Sequence, residues 1–201
     1  MIEEEPINKK EERYKNLHFR MYEKKYPEKE ELVYVKVVEK NDFCAIVTLY
    51  EYDNIRGIIL RKEYALKRFN SLKQFSIGKD EILTVLKVDA NKGFIDLVKK
   101  GVSPDKIKKY KKKFEKSKKV ENIVKLLSVQ TNKTMEYLYK NIIWPLYKQY
   151  EHAYDALQLF LNGDNTIFDN IKITDNIKKE LIQILNNRLR TQPVKKEVFL
   201  N

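Results

Sequence analysis

The 201-residue chain has one cysteine, Cys44, and two histidines, His18 and His152. One thiol makes no internal disulfide and no Cys-rich metal cage, which fits a reducing compartment. Two histidines far apart in sequence give little basis for a zinc site or a Cys–His nucleophile pair. Five glycines and five prolines exclude collagen-like and linker-type chains. The glycines are scattered, so no Gly-rich loop cradles phosphates. No run approaches the roughly 20 apolar residues of a membrane span. The first residues, MIEEEPINKKEER, lack the apolar segment of a secretory signal. A soluble, cytoplasmic protein is expected. No serine sits in a nucleophile-elbow context. Acidic pairs such as Glu30/Glu31 lie in polar segments with no apolar enclosure to raise a pKa. These absences together predict a binding protein, not an enzyme, with no cofactor and no metal.

What is abundant is positive charge. Lys and Arg number 41 against 29 Asp and Glu, a net charge of +12. Two windows carry it. Arg56–Lys79 holds seven bases and one acid, Glu63; Lys99–Lys119 holds eleven lysines against Asp105 and Glu115. Basic zones of this kind favour phosphate contact, from nucleic acid, or an acidic protein surface. A block of lysines is equally at home as a solvated face.

Residues 1–16 are charged and aperiodic and read as a flexible tail. Residues 17–100 then show β-type alternation. Leu32–Val38 places Val33, Val35 and Val37 on one face, and Phe43–Tyr50 places Ala45, Val47 and Leu49 together. Ile58–Leu60, entered through Gly57, Glu81–Asp89 and Gly93–Val98 complete the set, the last two joined by an Ala90–Gly93 turn. Five short strands with a long break after the third predict a closed Greek-key barrel of the OB type. The break, Arg61–Ile77, is basic, includes a possible short helix over Glu63–Phe69, and is too long for an ordinary hairpin.

From Ser103-Pro104 the period becomes helical, with Ser103 as N-cap and Pro104 at the first position. Apolar stripes follow: Ile107, Tyr110 and Phe114; Val120, Ile123, Val124 and Leu127; Met135 to Tyr147, with Pro145 expected to kink or end that helix; Tyr154 to Leu161; and Ile177, Leu181, Ile184, Leu185 and Arg188, capped by Thr174. Residues 101–201 are therefore expected to form an all-helical domain, ending in a run, Val194–Leu200, that suits a strand or a tail. Cys44 reads as a small packed hydrophobe, Trp144 as core and His152 as structural. On the barrel, Tyr34 and Phe43 are candidates to stack RNA bases, with Lys36 and Lys87 as cations beside them. Aromatics in short strands are more often packing residues, so the basic loop is the stronger feature.

Several motifs, in order, then resemble a known family: Phe19–Pro27 (FRMYEKKYP), VYVKV, YEYDNIRGIIL, the basic loop, LKVDANKGFIDL and GVSPDKI. They are similar to the alpha subunit of eukaryotic and archaeal translation initiation factor 2, over most of residues 17–199. The resemblance implies an S1-type barrel followed by a helical domain. In the family a third, α/β domain binds the GTPase gamma subunit, so a chain ending at Asn201 is expected not to anchor stably there.

In the eukaryotic family the long loop carries a regulatory serine ahead of an arginine triplet, and stress kinases phosphorylate it. Here the serine position is Ala65 counting on from Glu63, or Tyr64 counting back from Gly78. Leu66 replaces the first arginine, while Lys67 and Arg68 match the last two. The phospho-acceptor is therefore expected to be absent. The family's kinases dock on a Lys-Gly-Tyr-Ile-Asp turn, which here reads Lys92, Gly93, Phe94, Ile95 and Asp96. A docking turn without an acceptor implies a pseudosubstrate, a decoy for stress kinases such as viruses use. The alternative is a divergent working subunit that binds mRNA or initiator tRNA on the ribosome, alongside the beta and gamma subunits; an S1-type RNA-binding module without an initiation role ranks third.

Overall fold

The computed structural model describes residues 17–60, 75–99 and 101–189. The N-terminal tail, the loop segment with its possible helix over Glu63–Phe69, and the run Val194–Leu200 lie outside the described residues. Two compact units emerge: one is His18–Glu115, and the other gathers the chain from Lys116 onward.

The first unit is built from alternation. β1 (Leu32–Lys40) buries Val33, Val35 and Val37 completely, and β2 (Cys44–Leu49) does the same with Ala45, Val47 and Leu49. A period of two puts every second side chain inside. β3 (Ile55–Leu60), β4 (Asp80–Asp89) and β5 (Phe94–Val98) close the sheet in the order β1-β2-β3-β5-β4, with β4 returning to pair with β1. All neighbours are antiparallel except β3 and β5. This is the five-stranded S1/OB-type barrel that the sequence predicts, followed by a helical region.

β3 begins before Gly57 rather than after it. A Cβ at that position would stand 2.8 Å from Leu97 Cδ1 and 3.0 Å from Leu49 Cδ1, so glycine lets the barrel interior close. The chain enters β3 through Asp53 and Asn54, both left-handed at φ 58° and 55°. Asp and Asn tolerate this region better than other side chains, which explains the Asp-Asn pair in the YEYDNIRG motif. Cys44 is only half-buried; it sits on the outer face of β2, opposite Leu60. The inward places belong to its alternate neighbours, so the packed position expected for it goes to Ala45.

Helix α1 (Pro104–Thr131) starts in the first unit and ends in the second. Ser103 caps it, its carbonyl accepting from Ile107 N–H at 3.1 Å. α2 (Met135–Leu138) runs through a wide π turn, Tyr139–Ile143, into α3 (Trp144–Gln149). The expected effect of Pro145 takes this form. Proline offers no N–H to the preceding turn, and the Trp144 N–H reaches back five residues to the Tyr139 carbonyl. The helix changes geometry there and does not stop. α4 (Ala153–Leu161) and α5 (Asp175–Leu189) bury the predicted stripes, with Trp144 in the core. Arg188, placed on the last stripe by spacing, is exposed. Among the described residues no helix is long and apolar enough to cross a membrane.

Candidate functional site

The outer surface of the barrel carries the candidate residues, and strand register decides which of them meet. One row crosses four strands. Lys87 on β4 faces Asp96 on β5, Asp96 faces Ile58 on β3, and Ile58 faces Ile46 on β2. Partners in register point to the same side of a sheet. Lys87 is exposed and Asp96 half-buried. A register shift between Val85 and Lys87 lets Lys87 turn outward.

Asp96 belongs to the strand that leaves the β4–β5 turn. Within that turn Lys92 is exposed, and its N–H donates to Asp89 Oδ1 at 3.1 Å. Gly93 takes φ 68°, a conformation that costs glycine nothing. Phe94 is 63% exposed, a large apolar ring held out in water. Ile95 points the other way. It is 1% exposed and part of the barrel core, so a partner at this turn would meet Lys92, Phe94 and Asp96 and not the Ile95 side chain.

The stacking candidates do not form one platform. Phe43, at the β1–β2 connection, is 77% exposed; its N–H donates to Asn41 Oδ1 at 2.9 Å. Tyr34 lies toward the other end of β1, about 20 Å away along an extended strand. The Tyr34 ring is covered on one side by Phe114 of α1, with centroids 4.2 Å apart and planes 6° from parallel. Tyr50 leans on both rings and donates its hydroxyl to Asp80 Oδ1 at 3.0 Å. Burial, then that hydrogen bond, pushes the Tyr50 hydroxyl up to about 12. Burial first, then Asp80, Glu115 and Glu81, raise Tyr34 as well. A base stacked there would meet acidic neighbours, so Tyr34 serves as a packing residue for α1. Lys36 remains exposed on β1, opposite Asp80 and Thr48. Tyr64, Ala65, Leu66, Lys67 and Arg68 lie outside the described residues.

Sequence reading missed Glu51. It stands at the heart of the YEYDNIRG motif, 1% exposed. Its carboxylate accepts from Tyr22 O–H at 3.2 Å, Tyr34 N–H at 3.1 Å and Tyr110 O–H. One buried acid thus ties the entering segment, β1 and the start of α1. Burial raises its pKa, opposed by the Tyr110 hydrogen bond, the Tyr34 N–H and Lys113. Nothing in this short polar motif signals it; the partners lie 17 to 59 residues away.

Comparison with known proteins gives this surface its context. Residues 26–100 match the model of the S1 RNA binding domain, and residues 138–201 match that of the eukaryotic translation initiation factor 2 alpha subunit. Matches to initiation factor 2 alpha subunits run along 88% of the chain. It is 42% identical over 177 residues to the eukaryotic translation initiation factor 2 subunit 1 of Plasmodium berghei, covering 88% of this chain and 54% of the relative. It is 40% identical to the Dictyostelium discoideum subunit over 183 residues, covering 88% and 53%. The chain therefore spans about half the length of these curated relatives. Its fold is also that of the intact alpha subunit of aIF2 from Pyrococcus abyssi, with TM-score 0.71, 24% identity, and coverage of 83% of this chain and 64% of that one. The barrel surface offers two features: the Lys92–Asp96 turn, and the exposed cations Lys36 and Lys87.

Proposed function

We propose that this chain acts in translation initiation as an initiation factor 2 alpha subunit, using its barrel and basic segments to contact RNA on the ribosome. One observation carries the reading. The barrel and helical modules both match, in order, at 40–42% identity to subunits named for initiation. That supports a role in initiation; the decoy reading, which the loop sequence suggests, shares the same matches. The S1 model match over the barrel supports RNA as a ligand, and exposed Lys36 and Lys87 supply cations for its backbone. The test is recovery of a tagged chain from its own cells. Co-purification with ribosomal subunits and ribosomal RNA is expected; an eluate without them would overturn it.

The exposed docking turn favours a second reading, a pseudosubstrate of the stress kinases. Lys92, Phe94 and Asp96 are presented to solvent or half-presented, while Ala65 or Tyr64 stands where the family carries its serine. On this reading a stress-kinase catalytic domain binds the chain without modifying it. Asp96→Ala removes a charged hydrogen-bonding group, worth about 1.5–3 kcal/mol, so binding weakens at least about tenfold. Equal affinity of wild type and variant in a calorimetric titration argues against this turn as the dock.

A further inference from the structure

The opening turns of α1 break two rules of helix stability. Lys106, Lys108, Lys109, Lys111, Lys112 and Lys113 are all exposed. Lys106 lies in the first turn, where the macrodipole is positive and cations are disfavoured. Lys108/Lys112 and Lys109/Lys113 also sit at i,i+4, where like charges repel. The counter-charge on this stretch is Asp105 and Glu115. Among the described residues, Lys106, Lys108, Lys109, Lys111 and Lys112 make no ion pair, whereas lysines elsewhere in the fold do: Lys99 with Glu81, Lys116 with Asp155, Lys125 with Glu121. Lys113 lies over the Tyr22 ring at 4.8 Å. A sequence that accepts local conflict at one place is expected to have a function there.

The fold fixes which way this charge faces. Tyr110 and Phe114 turn toward the barrel, through Glu51 and Tyr34. At 100° per residue Lys108, Lys109 and Lys112 fall on the opposite side of the helix. These turns belong to the same compact unit as the barrel that matches the S1 model.

We infer that the first three turns of α1 are a phosphate-contacting surface for single-stranded RNA, with Lys108, Lys109 and Lys112 at its centre. The inference rests on the RNA reading of the proposed function and extends it from the barrel to this helix. Contact there is to backbone phosphates and carries no base preference. Phosphates would relieve the lysine repulsion that the isolated helix carries.

The test uses the full chain, a fluorescein-labelled 20-nucleotide oligouridine, and anisotropy titrations between 50 and 300 mM KCl. Each phosphate contact on a single strand contributes about 0.7 to the slope of log K against log salt. The triple variant K108Q/K109Q/K112Q is expected to lower that slope by about 2, and to bind at least tenfold more weakly in 100 mM KCl. It should melt no earlier than the wild type, because removing mutually repelling charges does not harm the helix. A charge-matched control, K148Q/K172Q/K179Q, should keep most of the slope. An unchanged slope in the α1 variant, or an equal loss in the control, overturns the inference while leaving RNA binding intact. Unchanged RNA binding with lost retention on polyglutamate would assign the surface to an acidic protein instead. No binding by the wild type overturns the RNA reading itself, and the inference with it.

Discussion

Glu51 shows how one side chain can organise an architecture and still escape a reading of the sequence. An acid inside a Tyr-Glu-Tyr-Asp-Asn run looks like turn chemistry, yet it is buried and accepts three hydrogen bonds from distant segments. Its partners satisfy the carboxylate, while burial still disfavours the charge and raises its pKa above the usual 4.5. The sign of the pH effect follows. An acid whose folded pKa exceeds its unfolded pKa holds its proton more tightly in the native state, so its contribution falls as pH rises from 4.5 through the folded pKa. Glu51→Gln removes the charge and keeps an oxygen acceptor. The stability of wild type minus that of Glu51→Gln should therefore decline as pH rises above 4.5 and level off beyond the folded pKa. Urea midpoints for both proteins across pH 4 to 8 measure it; a difference that rises with pH would contradict the burial argument.

At the scale of elements, the parts governed by period were legible and the parts governed by long-range contact were not. Val33, Val35, Val37, Ala45, Val47 and Leu49 are all assigned to the correct face by alternation, because a one-sided sheet leaves no other register. The packing partner of Tyr34 escapes any local pattern, because the ring stacked on it comes from residue 114. At Pro145 the sequence predicts a kink or a stop and the helix instead passes through a π turn, which leaves no composition signature. Among the helices, α4 depends on His152. The ring is 3% exposed, Nδ1 accepts from Tyr154 N–H at 3.0 Å, and Nε2 lies 3.1 Å from Ser117 Oγ. Since Nδ1 accepts, the proton of the neutral ring sits on Nε2, which faces Ser117 Oγ and, at 3.4 Å, the Tyr147 hydroxyl. His152→Ala loses the cap and leaves Ser117 without that partner, an expected cost of about 1–3 kcal/mol. His152→Asn, a strong N-cap residue, should recover part of it. Thermal melts of the two variants decide whether capping or the buried Ser117 contact contributes more.

On the scale of the molecule, the two compact units divide the chain within α1, between Glu115 and Lys116, although the change of secondary structure comes earlier, at Ser103-Pro104. The reason is physical. Tyr110 donates to Glu51, and Phe114 stacks on Tyr34, so the opening turns of the helix finish the surface of the barrel. Those contacts are the helix's share of a buried polar network that a barrel alone would leave incomplete. A fragment of residues 17–115 should fold cooperatively. A fragment ending at residue 99 retains every strand, yet loses the Tyr110 hydrogen bond to a buried carboxylate, worth about 1.5–3 kcal/mol, and uncovers the aromatic faces of Tyr34 and Tyr50. Its unfolding free energy should be lower by about 3–5 kcal/mol once the Phe114 side chain, itself 8% exposed, no longer packs there. Urea titrations of the two fragments, followed by tyrosine fluorescence, compare them directly. Equal stabilities would mean that the helix start is a passenger on the barrel, and that Glu51 is satisfied by Tyr22 and the Tyr34 N–H alone. The expected difference would make the first turns of α1 part of the barrel's own fold, and would fix the lysines on their far side to the same rigid surface.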